Sequence, residues 1–255
     1  MLKNYNNLEV RLGSLVTTNE KIQKNIESHF NLNSKDDDST SWYNRFNCEY
    51  KELKNFIELT KDKNTLLDIG CQFGSFSLTF IGDSTTKQSF AFDGGDTPYL
   101  TLSQIKILNK IHNLHPFNFF VGDNNEKIQC TQEELQSLPY GNKDIKMMVT
   151  IDTICEIYEI TPDVIKLDIE GAEVHALLGA QNTISKNKPI IFMEAHPEII
   201  KSYELSITDL ALLANSFISD FNYKILDLNL QEVSDYYSIL EQETTDSNRT
   251  IWVPN

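Results

Sequence analysis

The sequence predicts one doubly wound α/β domain, a mostly parallel sheet with helices on both faces, behind a mainly helical and loop-rich N-terminal extension. Three observations predict it. From Thr65 onward, short apolar runs alternate with stretches of helical spacing, the mark of successive βαβ units. The first run leads through a turn bearing Gly70 and Gly74 into a helix. Later runs end in acids, at Asp93, Asp123, Asp168 and Glu194, and the carboxyl ends of strands are where open α/β sheets bind ligands. A chain of 255 residues has room for one such domain and an accessory segment; two independent domains would be cramped.

The elements follow in order. Residues 1–60 read as the accessory segment and 61–255 as the main domain. Glu20–Phe30 suits a short amphipathic helix. Asn31–Ser41, with the triplet Asp36-Asp37-Asp38, reads as an exposed loop, since no spaced carboxylate or glycine pattern supports a calcium loop. Glu49–Leu59 places Tyr50, Leu53, Phe56 and Ile57 near one helical face and predicts a helix packed on the sheet. Strands are expected at Thr65–Ile69, Gln88–Phe92, Phe117–Val121, Val164–Leu167, Pro189–Met193, Tyr223–Leu228 and Thr250–Val253. Helices are expected at Ser75–Ile81, Leu100–Ile111, Ala172–Ile184 and Ile207–Phe217. Ser234–Glu243 is too polar to predict a helix, so the last two strands suit an antiparallel return.

Composition excludes several classes. The net charge of -15 and the absence of a Lys/Arg run argue against a nucleic-acid partner, which needs cations gathered on one surface. Four cysteines, Cys48, Cys71, Cys130 and Cys155, form no C-x-x-C pair, which fits a reducing compartment better than a disulfide framework or a zinc site. Met1–Val10 lacks the pattern of a secretory signal, and no apolar run is long enough to span a bilayer. A cytoplasmic location is the simplest expectation.

The glycine turn is Asp68-Ile69-Gly70-Cys71-Gln72-Phe73-Gly74, followed by Phe76. Glycine there allows positive φ and close ligand approach, and the helix beyond offers free N–H groups. A dinucleotide fingerprint would put glycine where Gln72 stands. The D-x-G-x-x-x-G-x-F pattern suits a methionine carboxylate and adenosine better than a pyrophosphate. Asp93, about 23 residues after Gly70 and followed by Gly94, can accept both ribose hydroxyls. Asp123 is a candidate for the adenine amine. In Val164-Ile-Lys-Leu-Asp168-Ile-Glu170-Gly171, alternation puts Lys166 and Asp168 on one side, with Glu170 in the turn beyond. Asp168 also suits a plain helix cap. Glu194 and His196 end a neighbouring strand; the imidazole suits either a base or a structural role.

Taken together, Ile165–Glu173 (IKLDIEGAE), Leu177–Ala180 (LLGA), Thr150-Ile151-Asp152 and Met193-Glu194 resemble the FkbM family of S-adenosylmethionine-dependent methyltransferases. The resemblance runs from about Leu66 to Pro197, and more loosely beyond. It implies a class I methyltransferase sheet of seven strands with the last antiparallel, and O-methylation, often of sugar hydroxyls in glycans or natural products. The chain departs from the family in having Asp93-Gly94-Gly95 where a Glu-Pro is usual, and Cys71-Gln72 where Ala-Asn is commoner. The first of these changes retains an acid.

The expected site is therefore Asp68, Gly70, Cys71, Gln72, Phe73, Gly74, Phe76, Asp93, Gly94 and Asp123 for S-adenosylmethionine, and His196, Asp168, Glu170 and Glu194 for chemistry. His196 or Asp168 would take the hydroxyl proton, with Glu170 and Glu194 orienting. Asp168, Glu194 and His196 also offer a divalent-metal donor set, which is not the favoured reading. The acceptor is expected to be a small molecule or glycan. Its pocket would be built from the extension, the polar stretch Asn124–Lys146 and the loop after His196, with Trp42, Tyr43 and Tyr140 free either to stack on a sugar or to pin the extension. Two other classes compete. One is a nicotinamide oxidoreductase on a similar sheet, which Gln72 disfavours. The other is a catalytically silent scaffold, disfavoured by retention of the glycine loop and the acids.

Overall fold

The computed structural model describes residues 51–128, 146–241 and 248–255. The segment Glu20–Phe30, the Asp36-Asp37-Asp38 loop, Trp42, Tyr43, Tyr50 and Tyr140 lie outside the described residues.

The main sheet has seven strands. They are β1 (Thr65–Ile69), β2 (Gln88–Phe92), β3 (Leu114–Phe117), β7 (Val164–Leu167), β8 (Ile190–Glu194), β9 (Tyr223–Leu226) and β10 (Arg249–Pro254), in the order β3-β2-β1-β7-β8-β10-β9. Neighbours pair in parallel from β3 to β8, and β10 runs antiparallel to both β8 and β9. The antiparallel return expected at the end of the chain is present. A second sheet of three short strands, β4 (Phe120–Val121), β5 (Glu126–Ile128) and β6 (Lys146–Val149), stands beside it.

Helices cover both faces. The period of two along each strand divides the apolar side chains between two cores. Leu67, Ile69, Ile165, Leu167, Ile191, Met193 and Trp252 face one way. They meet α4 (Ile151–Ile157), α5 (Glu173–Leu178), α6 (Gln181–Asn187), α7 (Pro197–Ile200), α8 (Ile207–Phe221) and α9 (Tyr236–Leu240). Leu66, Ala91, Val164, Phe192 and Ile251 face the other way. There they meet residues 51–59, which are helical (α1), with α2 (Ser75–Ile81) and α3 (Asp96–Leu108). Phe56 of α1 is fully buried and lies edge-on to Phe76 and Phe192, at 5.0 and 5.1 Å between ring centroids. The helix expected before the first strand does pack on the sheet.

Several expectations need correction. Phe117–Val121 is not one strand: the main-sheet strand ends at Phe117, and Phe120–Val121 joins the small sheet. Asn118 Nδ2 donates to Gly95 O, and the Phe120 ring lies against Gly94, where an added Cβ would come within 2.3 Å of it. These contacts pull the chain off the sheet. Ala172–Ile184 is two helices broken at Gly179-Ala180. Gly179 is pressed on Gly122, whose carbonyl would stand 2.1 Å from a Cβ there, and Asp152 caps the second helix. The polar run after Ser234 does hold a short helix, α9, because Asp235 caps it and Tyr236 and Leu240 are buried.

Candidate active site

The glycine turn joins β1 to α2 and has its own geometry. Gly70, Gln72 and Gly74 all take positive φ, at 79°, 45° and 77°. At Gly70 a Cβ would sit 1.8 Å from the backbone oxygen of Asp168, so only glycine lets the turn lie against the end of β7. Gly70 N and Cys71 N both donate to Phe92 O, at 2.9 and 3.0 Å, which ties the turn to the end of β2.

Not every residue expected to touch the cofactor faces the open side of this turn. Asp68 is buried and accepts from Ser77 N and Ser77 Oγ at 3.0 and 2.5 Å; it holds the turn from beneath. Its burial pushes its carboxyl up to about 6, against the Ser77 hydrogen bond. Cys71 is buried in the core, and Phe76 turns toward α1 with Lys166 Nζ 5.0 Å over its ring. Asp123 is engaged by His175 Nδ1 at 2.7 Å. Gln72 is exposed and Phe73 half-buried.

Asp93 is placed as expected, at the end of β2. Its Oδ2 accepts from Gln72 N at 3.0 Å and its Oδ1 from Gly95 N at 2.8 Å, so one carboxylate joins the two glycine-bearing loops. Burial raises its pKa, helped by the charge of Asp168. Each oxygen keeps a further lone pair for a vicinal diol.

Beside this corner lies a buried charged cluster on the α1–α2 face of the sheet. Strand alternation puts Lys166 and Asp168 on that face, and the register sets Arg249 of β10 directly opposite Glu194 of β8. Lys166 Nζ lies 3.3 Å from Glu52, 3.7 Å from Asp168 and 3.8 Å from Glu194. Arg249 donates to both oxygens of Glu194, at 2.5 and 3.1 Å, and stands 3.1 Å from Glu52. Burial would lower the pKa of Lys166, but the carboxylates of Glu52, Asp168 and Glu194 outweigh it and hold the ammonium above its ordinary value. Burial would raise Asp168, and the charges of Lys166 and His196 bring it below the ordinary carboxylate value instead. Glu194, most affected by burial, is pushed up to about 7 against Lys166. Of the two acids, Asp168 is therefore the stronger.

His196, two residues beyond Glu194, bonds through Nδ1 to Glu173 Oε1 at 2.9 Å. Its Nε2 is 3.8 Å from Asp168 and 3.5 Å from Glu170. Burial works against its charge, but the Glu173 hydrogen bond, with Glu170 and Asp168, lifts its pKa to about 9. Glu170 takes φ 53° in the turn and leaves its side chain 72% exposed at the rim. Gly171 N donates to the same Glu173 oxygen at 3.1 Å, so the buried acid locks turn and imidazole together.

Sequence reasoning missed Glu52, Glu173 and Arg249. Glu173 stands within the IKLDIEGAE run, and its apolar neighbours Val174 and Leu177 were a signal that it faces inward. Glu52 and Arg249 are brought in from either end by packing, and nothing local to them signals it.

Asp168, Glu194 and His196 each offer a donor atom within 4.8 Å of the others. They do not fit a divalent ion well. Both Glu194 oxygens are taken by Arg249, and Lys166 already supplies a cation to both carboxylates.

The family model for the methyltransferase FkbM domain matches residues 3–225. The chain belongs to this family. The match takes in nearly all of the extension, which the sequence reading had set apart. No curated protein matches the chain. Its structure is similar to that of an FkbM methyltransferase from Methylobacillus flagellatus KT, at 18% identity and TM-score 0.52. That likeness covers 98% of this chain and 59% of the other, so this chain spans under two thirds of that protein's length. Looser likenesses are to a putative caffeoyl-CoA O-methyltransferase from Staphylococcus aureus (12% identity, 94% and 100% of the two chains, TM-score 0.47). Another is to a methyltransferase from Podospora anserina (10%, 95% and 99%, TM-score 0.46). The seven-stranded sheet with β10 inserted antiparallel is the class I methyltransferase fold expected from the resemblance.

Proposed function

We propose that this FkbM-family chain is an S-adenosylmethionine-dependent O-methyltransferase acting on a hydroxyl of a sugar, glycan or natural-product acceptor. The observation that carries this reading is the Asp93 carboxylate, which joins the Gly70–Gly74 turn to the next loop beside the acids of β7 and β8. The residues fit the cofactor: the glycine turn, which only glycine lets lie against the end of β7, meets the Asp93 loop at one corner, and Asp93 suits a ribose. When bound, S-adenosylmethionine supplies an electrophilic methyl group on a sulfonium.

The chain's own residues must orient an acceptor hydroxyl and take its proton. Asp168, ionised at neutral pH, accepts a hydrogen bond from the hydroxyl and orients it. His196 Nε2, held by Glu173 at the opposite ring nitrogen, is the base, and Glu170 steadies the imidazolium that forms. A pKa of about 9 means that most His196 is protonated in the free protein at neutral pH. Its neutral form, and with it the rate, rises with pH up to that value.

Calorimetric titration with S-adenosylmethionine, S-adenosylhomocysteine and NAD tests the cofactor. The two adenosyl compounds are expected to bind and NAD is not; binding of NAD alone sinks the proposal. A methyl-transfer assay over a panel of glycans and hydroxylated small molecules tests the acceptor class and excludes a silent scaffold when product forms.

A further inference from the structure

Helix α1 docks through Phe56, with Leu53 and Leu59 packed around the same core. Its other charged residues, Lys51, Lys54 and Glu58, are exposed. Glu52 is the exception: its side chain is only 2% exposed and it enters the charged cluster. One oxygen, Oε1, stands 3.3 Å from Lys166 Nζ, and the other, Oε2, 3.1 Å from Arg249 Nε. A carboxylate taken out of water costs far more than an apolar side chain of the same volume, so a helix that needed only to dock would not carry one here.

The geometry shows what the charge does. Lys166 and Arg249 are buried side by side and repel one another. Both also reach the strand-end acids: Lys166 reaches Asp168 and Glu194, and Arg249 forks onto Glu194. Glu52 spans the two cations, with one carboxylate oxygen toward each. We propose that Glu52 is a positioning residue of the methyl-transfer site, holding Lys166 and Arg249 as a cationic floor on which Asp168 and Glu194 are set. Docking of α1 thereby completes the site, although no atom of α1 need touch cofactor or acceptor. This inference rests on the methyltransferase reading for its purpose, but its geometry stands apart from it.

The groups that face Glu194 are Arg249 from β10, Lys166 and Asp168 from β7 and its end, and Glu52 from α1. The test compares the whole wild-type chain with E52Q and E52D by carboxyl carbon NMR, with the Glu194 signal assigned by its absence in E194Q. In E52Q the two cations turn wholly to Asp168 and Glu194, and the Glu194 titration midpoint falls from near neutrality toward the ordinary glutamate value of about 4.3. In E52D the charge is kept one methylene further away, and the midpoint moves the same way by less. A purely packing role for Glu52 lowers thermal stability and leaves the Glu194 midpoint where it is in both variants. That result overturns the proposal. Should E52Q fail to fold, E52D decides alone on the same readout. S-adenosylhomocysteine titration run alongside separates the two readings. No binding to the wild type defeats the methyltransferase assignment without touching the Glu194 result. Intact binding with an unmoved Glu194 defeats only the role of Glu52.

Discussion

His196 shows at the scale of one residue how environment sets chemistry. Its imidazole is lifted to about 9 by Glu173, Glu170 and Asp168 against the cost of burial. A group raised above its unfolded value stabilises the fold fully below that unfolded value, near 6.5, and loses the contribution as pH rises through about 9. Thermal melts of wild type and H196N should therefore differ most near pH 6, by about 3 kcal/mol, and converge above pH 9. Methyl transfer should move oppositely, rising with pH to about 9 in the wild type; a rate flat from pH 6 upward would remove His196 as the base. Asp93 offers a second check. D93N keeps the shape but loses the charge that receives the ribose, and S-adenosylhomocysteine affinity should fall roughly 10- to 100-fold by calorimetry. At Gly70 the obstacle is steric: G70A drives a Cβ into the Asp168 carbonyl and should cost about 2–4 kcal/mol in chemical denaturation. A G70A protein of wild-type stability would contradict the close approach.

At the scale of elements, the Thr150-Ile151-Asp152 run has a structural explanation. Asp152 accepts from Asn182 N, Asn182 Nδ2 and Thr183 N, at 3.1, 2.9 and 2.7 Å, and so caps α6 from α4. D152A should lose roughly 1–3 kcal/mol of stability and leave S-adenosylhomocysteine affinity unchanged. Elements of this kind also mark how far sequence reasoning reaches. The parallel strands β1, β2 and β7 were legible because each is a short apolar run with turn residues at both ends, a purely local signal. The break at Asn118-Phe119 was not, because it comes from Phe120 meeting Gly94 across the sheet edge. In the site, the turn and the strand-end acids were legible as pattern. The burial of Asp68 and Cys71 was not, because which side of a turn faces a ligand depends on the helices above it. Nor were Glu52 and Arg249, since alternation tells which face a side chain takes but not which distant strand or helix lies beside it.

For the whole molecule, β10 lies inside the sheet rather than at its edge, between β8 and β9, and carries both Trp252 and Arg249 into the fold. Ending the chain after Glu241 should abolish the cooperative thermal transition, because β8 loses its antiparallel neighbour, β9 loses its attachment and the charge on Glu194 loses its fork. A cooperative melt from that truncated chain would show that β10 is dispensable. Among the described residues no helix is long and apolar enough to cross a membrane.

The same insertion orders events in time. β9 is synthesised before β10 yet occupies the outer place, so a growing chain must leave a gap beside β8 until the later strand arrives to fill it. While the gap is open, Glu194 lacks Arg249 and Lys166 has one fewer neighbour of its own sign. The acids at the strand ends therefore receive their final electrostatic setting last, when the closing strand enters the sheet.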